Sequence, residues 1–194
     1  RIQPAIHNPL QTMETNVLGT SNVLQAARCN GVKRVVYSST SASYGLKNEA
    51  PVNEDMVPDC LNAYSISKVT GEQMCKMYWD MYGLKTISFR YFNVYGERQP
   101  LKGQYAPVIG LFQRQHSDGH PMTIIGDGNQ RRDFTYVGDV VEANIRAMMT
   151  TDERCFGEVI NEFEVGNQMS FLVKVEKNRW KGREYLSLMG VDYQ

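Results

Sequence analysis

The sequence predicts an α/β fold, a parallel sheet covered by helices. Three observations carry this. Apolar residues recur at helical spacing in two long segments, a short β-branched run follows each, and a glycine closes each helix. Parallel strands need crossovers of roughly a dozen residues or more, and segments of this kind supply them.

Asn8-Pro9 opens the first helix with a capping side chain and a proline at the first helical position. Met13, Val17, Leu18, Val23, Leu24 and Ala27 keep a helical period until Gly31 stops it. Arg34-Val-Val-Tyr-Ser38 is short, β-branched and bounded by polar residues, so it reads as a buried strand. A loop holding Pro51 and Pro58 spans about 40–62, a second long helix 63–82 is ended by Gly83, and 86–92 is again strand-like. Downstream the pattern gives a helix over 105–117, a short strand at 122–125, a turn at Gly126-Asp-Gly-Asn129 and a strand at 134–137. A helix over 138–149 and a last strand over 158–165 complete it, with no repeat or low-complexity tract.

Composition narrows the class. The 194 residues suffice for a well-buried core, and 42% hydrophobic with 22% charged residues is ordinary for a globular chain. Lysine plus arginine and aspartate plus glutamate number 21 each, so no net field favours nucleic acid or a membrane surface. No apolar run reaches the roughly 20 residues of a membrane helix. Cys29, Cys60, Cys75 and Cys155 are widely spaced and form no C-x-x-C pair. Free thiols in a reducing, cytoplasmic compartment are expected, and no metal site.

The chemistry gathers at Tyr64-Ser-Ile-Ser-Lys68, a phenol and an ammonium four residues apart and hence on one helical face. A phenol is a poor base at its usual pKa of about 10, but neighbouring cations favour the phenolate. It can then take a proton from an alcohol while hydride leaves the same carbon. Taken alone, Y-x-x-x-K is common by chance. Here a hydroxyl-rich stretch, Ser38-Ser-Thr-Ser-Ala-Ser-Tyr-Gly45, follows the 34–38 strand, at the end of a parallel strand where ligands bind.

Four segments in order and spacing, Val35-Val-Tyr-Ser-Ser-Thr-Ser-Ala-Ser-Tyr-Gly45, Ala63-Tyr-Ser-Ile-Ser-Lys68, Arg90-Tyr-Phe-Asn-Val-Tyr-Gly96 and Gly126-Asp-Gly-Asn-Gln-Arg-Arg-Asp-Phe-Thr-Tyr-Val137, resemble the extended short-chain dehydrogenase/reductase family. The likeness is to its NAD-dependent sugar-nucleotide epimerase/dehydratase branch and covers about residues 1–165. It implies a partial Rossmann-like, doubly wound parallel sheet over 1–92, a smaller substrate lobe over 93–168, and a divergent tail over 169–194.

By position, the resemblance makes Thr40 the catalytic hydroxyl, Tyr64 the base, and Lys68 the residue that tunes it and holds the nicotinamide ribose of NAD. Ser38, Ser39 and Tyr91 would lie on the cofactor side. Ser41, Asn93, Tyr105, Val108 and Arg132 would meet a UDP-sugar, with Arg132 gripping the diphosphate through its planar guanidinium. Relatives that eliminate water or lose carboxylate carry acidic residues after the catalytic threonine. Ser41 and Ala42 stand there and cannot act as acids near neutral pH. The expected reaction is therefore 4-epimerisation, by transient oxidation at C4 and hydride return to the other face. The triplet Tyr91-Phe-Asn93 resembles the UDP-hexose and UDP-N-acetylhexosamine epimerases more than the uronate epimerases, and the opening Arg1-Ile-Gln-Pro-Ala-Ile-His-Asn-Pro9 resembles the N-acetylhexosamine subgroup. Alternatives are a nucleotide-sugar dehydratase or reductase on the same scaffold, or a non-catalytic sugar-nucleotide-binding remnant.

Two departures matter. No G-x-x-G-x-x-G or G-x-G-x-x-G occurs before the first helix, and Arg1 is not an initiator methionine. The expectation is a fragment, N-terminally truncated, that binds cofactor weakly and does not turn over alone. After Met169 no family pattern is visible, and Arg179 and Arg183 are diphosphate candidates by chemistry alone. A homodimer through the helices near 10–29 and 63–82 is implied by the family, with Met13, Val17, Met74, Met77 and Met81 as apolar positions that core packing explains equally well.

Overall fold

The structure, a computed structural model, describes residues 2–102, 106–129, 132–160, 172–180 and 183–191, the last two segments as backbone. The described residues fall into two compact units. Residues up to Tyr91 and from Glu142 onward to 160 make the first; Phe92–Val141 and the C-terminal strands make the second.

In the first unit, short helices α1 (Ile2–His7) and α2 (Pro9–Met13) lead through a π-helical turn, Glu14–Leu18, into α3 (Gly19–Cys29). Asn8 caps α2, its side chain accepting the Gln11 N–H, and Pro9 takes the first helical position as expected. Strand β1 (Arg34–Ser38) follows, then a long loop, α4 (Ala63–Tyr82) and β2 (Lys85–Phe89). The α4 ends are where the sequence puts them. Asn62 and Ser65 form a reciprocal capping box, and Gly83, at φ 67°, ends the helix in the left-handed region that favours glycine. After the chain returns from the second unit, the end of α6 (Val137–Met149) leads to β5 (Glu158–Ile160).

The sheet is parallel, in the order β1-β2-β5, with Arg34 opposite Lys85 and Ile87 opposite Glu158. Apolar residues cover both faces, as parallel sheets require. Leu24, Ala27, Cys75, Tyr78 and Leu84 pack with Val35 and Tyr37, while Ile87, Phe89, Ala147 and Phe156 pack with Val36 and Trp79. Fully burying Ile87 or Phe89 stabilises by about 1.5–3 kcal/mol each. Arg34 ties β1 to the last turn of α6, donating to the carbonyls of Ala147, Met148 and Thr150.

The second strand is shorter than the sequence suggests. It ends at Phe89, and Asn93–Tyr95 forms a separate strand, β3, in the second unit. There β3 pairs in parallel with β4 (Phe134–Tyr136), beside α5 (Val108–Ser117). The α5 helix begins at Val108 rather than 105 because Pro107 sits extended as its N-cap, and Tyr105 lies outside the described residues. No strand forms at 122–125. Instead Thr123 is held by the Gln115 side chain, accepting from Gln115 Nε2 at 2.8 Å and donating its N–H to Oε1 at 3.1 Å. The tail forms an antiparallel pair, β6 (Leu172–Trp180) with β7 (Arg183–Val191), which carries Arg179 and Arg183.

All four cysteines are free thiols. Among the described residues no helix is long and apolar enough to cross a membrane, and no group of histidine, cysteine and carboxylates could hold a metal ion.

Candidate active site

The carboxyl end of β1 sets the first part of the site. Ser38 is exposed there, and Ser39 and Ser41 are pinned to the end of β2 and the chain just beyond it. The N–H groups of Ser39 and Ser41 donate to the carbonyls of Phe89 at 2.7 Å and Tyr91 at 3.1 Å. Thr40 then caps a 3₁₀ turn, Ser41–Ser43, with its Oγ1 accepting the Ala42 N–H at 3.2 Å. Its carbonyl accepts from the Ser43 hydroxyl at 2.9 Å. Thr40 is thus buried and fixed, and its own O–H proton is left to donate to a ligand. Further along, Asp59 accepts the N–H groups of Leu46 and Lys47, which fastens the loop behind the turn.

Helix α4 packs against this 3₁₀ turn and brings Tyr64 and Lys68, both half-buried, on one face. Neither the Tyr64 hydroxyl nor the Lys68 ammonium makes a hydrogen bond or ion pair with the described residues. The ammonium lies 4.5 Å from the centre of the Tyr37 ring, and burial pulls its pKa below the usual lysine value.

Three features were not visible in the sequence. Asn16, in the π-helical turn, donates to Ser67 Oγ at 2.9 Å, and Ser67 donates to the Tyr64 carbonyl at 2.8 Å, so the first turn of α4 is tied to the opening helices. A single inserted residue of π geometry leaves no periodicity signal, although such turns gather at functional sites. Glu72, one turn past Lys68, receives Arg90 bidentately, from Nε at 3.0 Å and Nη2 at 2.8 Å, and both side chains are about 95% buried. The Ser39 hydroxyl also donates to Glu72 Oε1, so Ser39 is committed to this pair. Last, Tyr37, an unremarkable strand residue in the sequence, lies under Lys68. Tyr91 bonds the Asn144 side chain, at 3.0 Å to Oδ1 and 2.8 Å from Nδ2.

The second unit holds its own cleft, of about 450 Å³, lined by Asn93, Tyr95, Val108, Phe112, Arg132 and Phe134 among others. Three residues expected to meet a nucleotide sugar, Asn93, Val108 and Arg132, therefore share one cleft. Asn93 Nδ2 donates to the Asp133 carbonyl at 2.7 Å, which ties β3 to the segment carrying Arg132. Of the other two, Tyr105 lies outside the described residues and Ser41 stands in the 3₁₀ turn of the first unit.

Residues 2–161 match the NAD dependent epimerase/dehydratase family. The chain belongs to this family. A family member from Methanocaldococcus jannaschii, a putative UDP-glucose 4-epimerase, is 40% identical over 153 residues, covering 78% of this chain and 50% of that protein. A UDP-N-acetyl-alpha-D-glucosaminuronate decarboxylase from Bacillus cytotoxicus is 40% identical over 166 residues, covering 82% and 50%. Among solved structures, a UDP-N-acetylglucosamine 4-epimerase from Methanobrevibacter ruminantium M1, in complex with UDP-N-acetylmuramic acid, superimposes with a TM-score of 0.78. It is 32% identical and matches 84% of this chain and 51% of its own. The chain spans about half the length of the curated relatives it matches.

The family's cofactor is NAD, and the residues present suit part of it. A half-buried ammonium with no ion pair and a phenol with no hydrogen bond, among the described residues, match the paired hydroxyls of a nicotinamide ribose. Lys68 and Tyr64 would hold that ribose, with Ser38 exposed at the end of β1 on the cofactor side.

Proposed function

We propose that the whole protein carrying this chain is a nucleotide-sugar 4-epimerase acting on UDP-N-acetylglucosamine or UDP-glucose. The observation that carries the reading is the Tyr64–Lys68 face of α4 packed against a Thr40 turn whose next residues, Ser41 and Ala42, hold no acid. NAD bound at this site would accept a hydride and return it. Tyr64 takes the proton of the sugar C4 hydroxyl, Lys68 stabilises the phenolate, and Thr40 donates a hydrogen bond that holds the reacting oxygen. With no carboxylate after Thr40 to remove a second proton, the keto-sugar is kept from elimination and is open to reduction from its other face. Asn93 and Arg132 suit the diphosphate, and the apolar wall of the second-unit cleft suits a nucleoside.

The same scaffold supports a second reading, because the Bacillus cytotoxicus relative is a decarboxylase at the same identity. Incubation with UDP-N-acetylglucosamine and, separately, with its UDP-uronate, each with catalytic NAD, separates the two. Epimerisation yields UDP-N-acetylgalactosamine without net NADH. Carbon dioxide release from a UDP-uronate, or a 4-keto-6-deoxy product, would overturn the epimerase reading.

We also propose a homodimer through α2–α3 and α4. Leu10, Leu18, Val23, Met77 and Met81 are exposed on these helices, whereas Met74 packs into the core. A monomer by light scattering at micromolar concentration would refute the assembly.

A further inference from the structure

We propose that Tyr37 is a positioning residue for Lys68, its ring a platform that seats the lysine ammonium at the Tyr64–Lys68 face. This rests on the reading of Lys68 as a site residue. Tyr37 is the fourth residue of β1, and α4 packs over it. The Lys68 Nζ lies 4.5 Å from the ring centroid, inside the roughly 6 Å range of a cation–π contact.

The opposite end of the ring is accommodated by the same helix. Gly71 comes three residues after Lys68, and a Cβ there would lie 2.1 Å from the Tyr37 hydroxyl oxygen. α4 therefore presents a lysine to the ring face and a bare backbone to the ring end. Any side chain at position 71 would have to displace the ring from this seat.

Other groups leave this role to the ring. Within α4, Glu72 and Cys75 lie within electrostatic reach of Lys68, and Tyr64 within reach of Tyr37. The Glu72 carboxylate is committed to Arg90 and Ser39, and burial pushes the Cys75 thiol up to about 11, so it is neutral at working pH. Burial likewise pushes the Tyr37 phenol up to about 12, which keeps the ring neutral. Desolvation disfavours the Lys68 cation, and the π face offsets part of that cost while fixing where the ammonium sits. The contact uses the ring face and not the hydroxyl, so phenylalanine serves equally and an aliphatic residue does not.

The test is a titration of Lys68 by NMR in the purified chain labelled with ¹³Cε-lysine, the resonance assigned through Lys68→Arg. Wild type and Tyr37→Phe should share a midpoint, and Tyr37→Leu should lower it by about half a unit to one unit. Should the leucine variant not fold, Tyr37→3,4,5-trifluorophenylalanine keeps the ring's shape, weakens its negative face and should lower the midpoint in the same direction. A trifluorophenylalanine or leucine midpoint equal to that of Tyr37→Phe overturns the proposal. Because this readout needs neither substrate nor turnover, it is distinct from a failure of the epimerase reading, which Lys68→Met tests in turnover.

Discussion

Glu72 stands at the centre of the site's supporting chemistry. Its carboxylate joins Arg90 from the chain beyond β2 and Ser39 from the chain beyond β1, one helical turn past Lys68. A buried ion pair is costly to break from one side, because the abandoned charge stays buried. Glu72→Gln should therefore destabilise the first unit by about 3–5 kcal/mol in chemical denaturation. Replacing both residues with methionine should cost less than the two single changes summed. A loss below about 1 kcal/mol for Glu72→Gln would mean that the pair is not formed as described. At Thr40 the expectation concerns rate: Thr40→Val should lower the kcat of the whole enzyme about 10²-fold or more, with Thr40→Ser near wild type, in a steady-state assay. Tyr64, Lys68 and Thr40 can be proposed from the sequence because their relation is local, four residues along a helix and a hydroxyl run after a strand. The Glu72–Arg90 and Asn16–Ser67 contacts cannot be, since 18 and 51 residues separate the partners and only the fold joins them.

Helix α4 is the element on which the site depends, and its boundaries follow from its caps. Asn62→Ala removes one half of the capping box and should cost about 1 kcal/mol in thermal or chemical unfolding. The loop behind Thr40 depends on Asp59. The N–H groups of Leu46 and Lys47 hold its carboxyl below the usual aspartate value of 3.8. A depressed folded-state pKa means that the contribution is present above the unfolded value and is lost as pH falls through the folded one. The amide shifts of Leu46 and Lys47 should accordingly titrate together with a midpoint below 3.8, and a midpoint above it would refute the latch. Elements built on strong local signals, α4 and β1, were readable to the residue. The 122–125 segment was not, because a short apolar run fits a strand or a loop, and the Gln115 side chain decided it.

At the scale of the molecule, the helix–strand alternation was enough to give a parallel sheet with helices on both faces, and the β1-β2-β5 order agrees. The first unit runs to Tyr91 and takes the chain back at Glu142, a return that no local pattern announces. The β6–β7 pair lay beyond any family pattern, and no long-range partner could be read from sequence. The most direct measurement is made on the whole protein, with UDP-N-acetylglucosamine and catalytic NAD, followed by NMR of the sugar anomeric protons. The expected result is UDP-N-acetylgalactosamine approaching equilibrium with no net NADH, and its loss in Tyr64→Phe. A dehydrated 4-keto-6-deoxy product, or undiminished epimerisation by Tyr64→Phe, would contradict it.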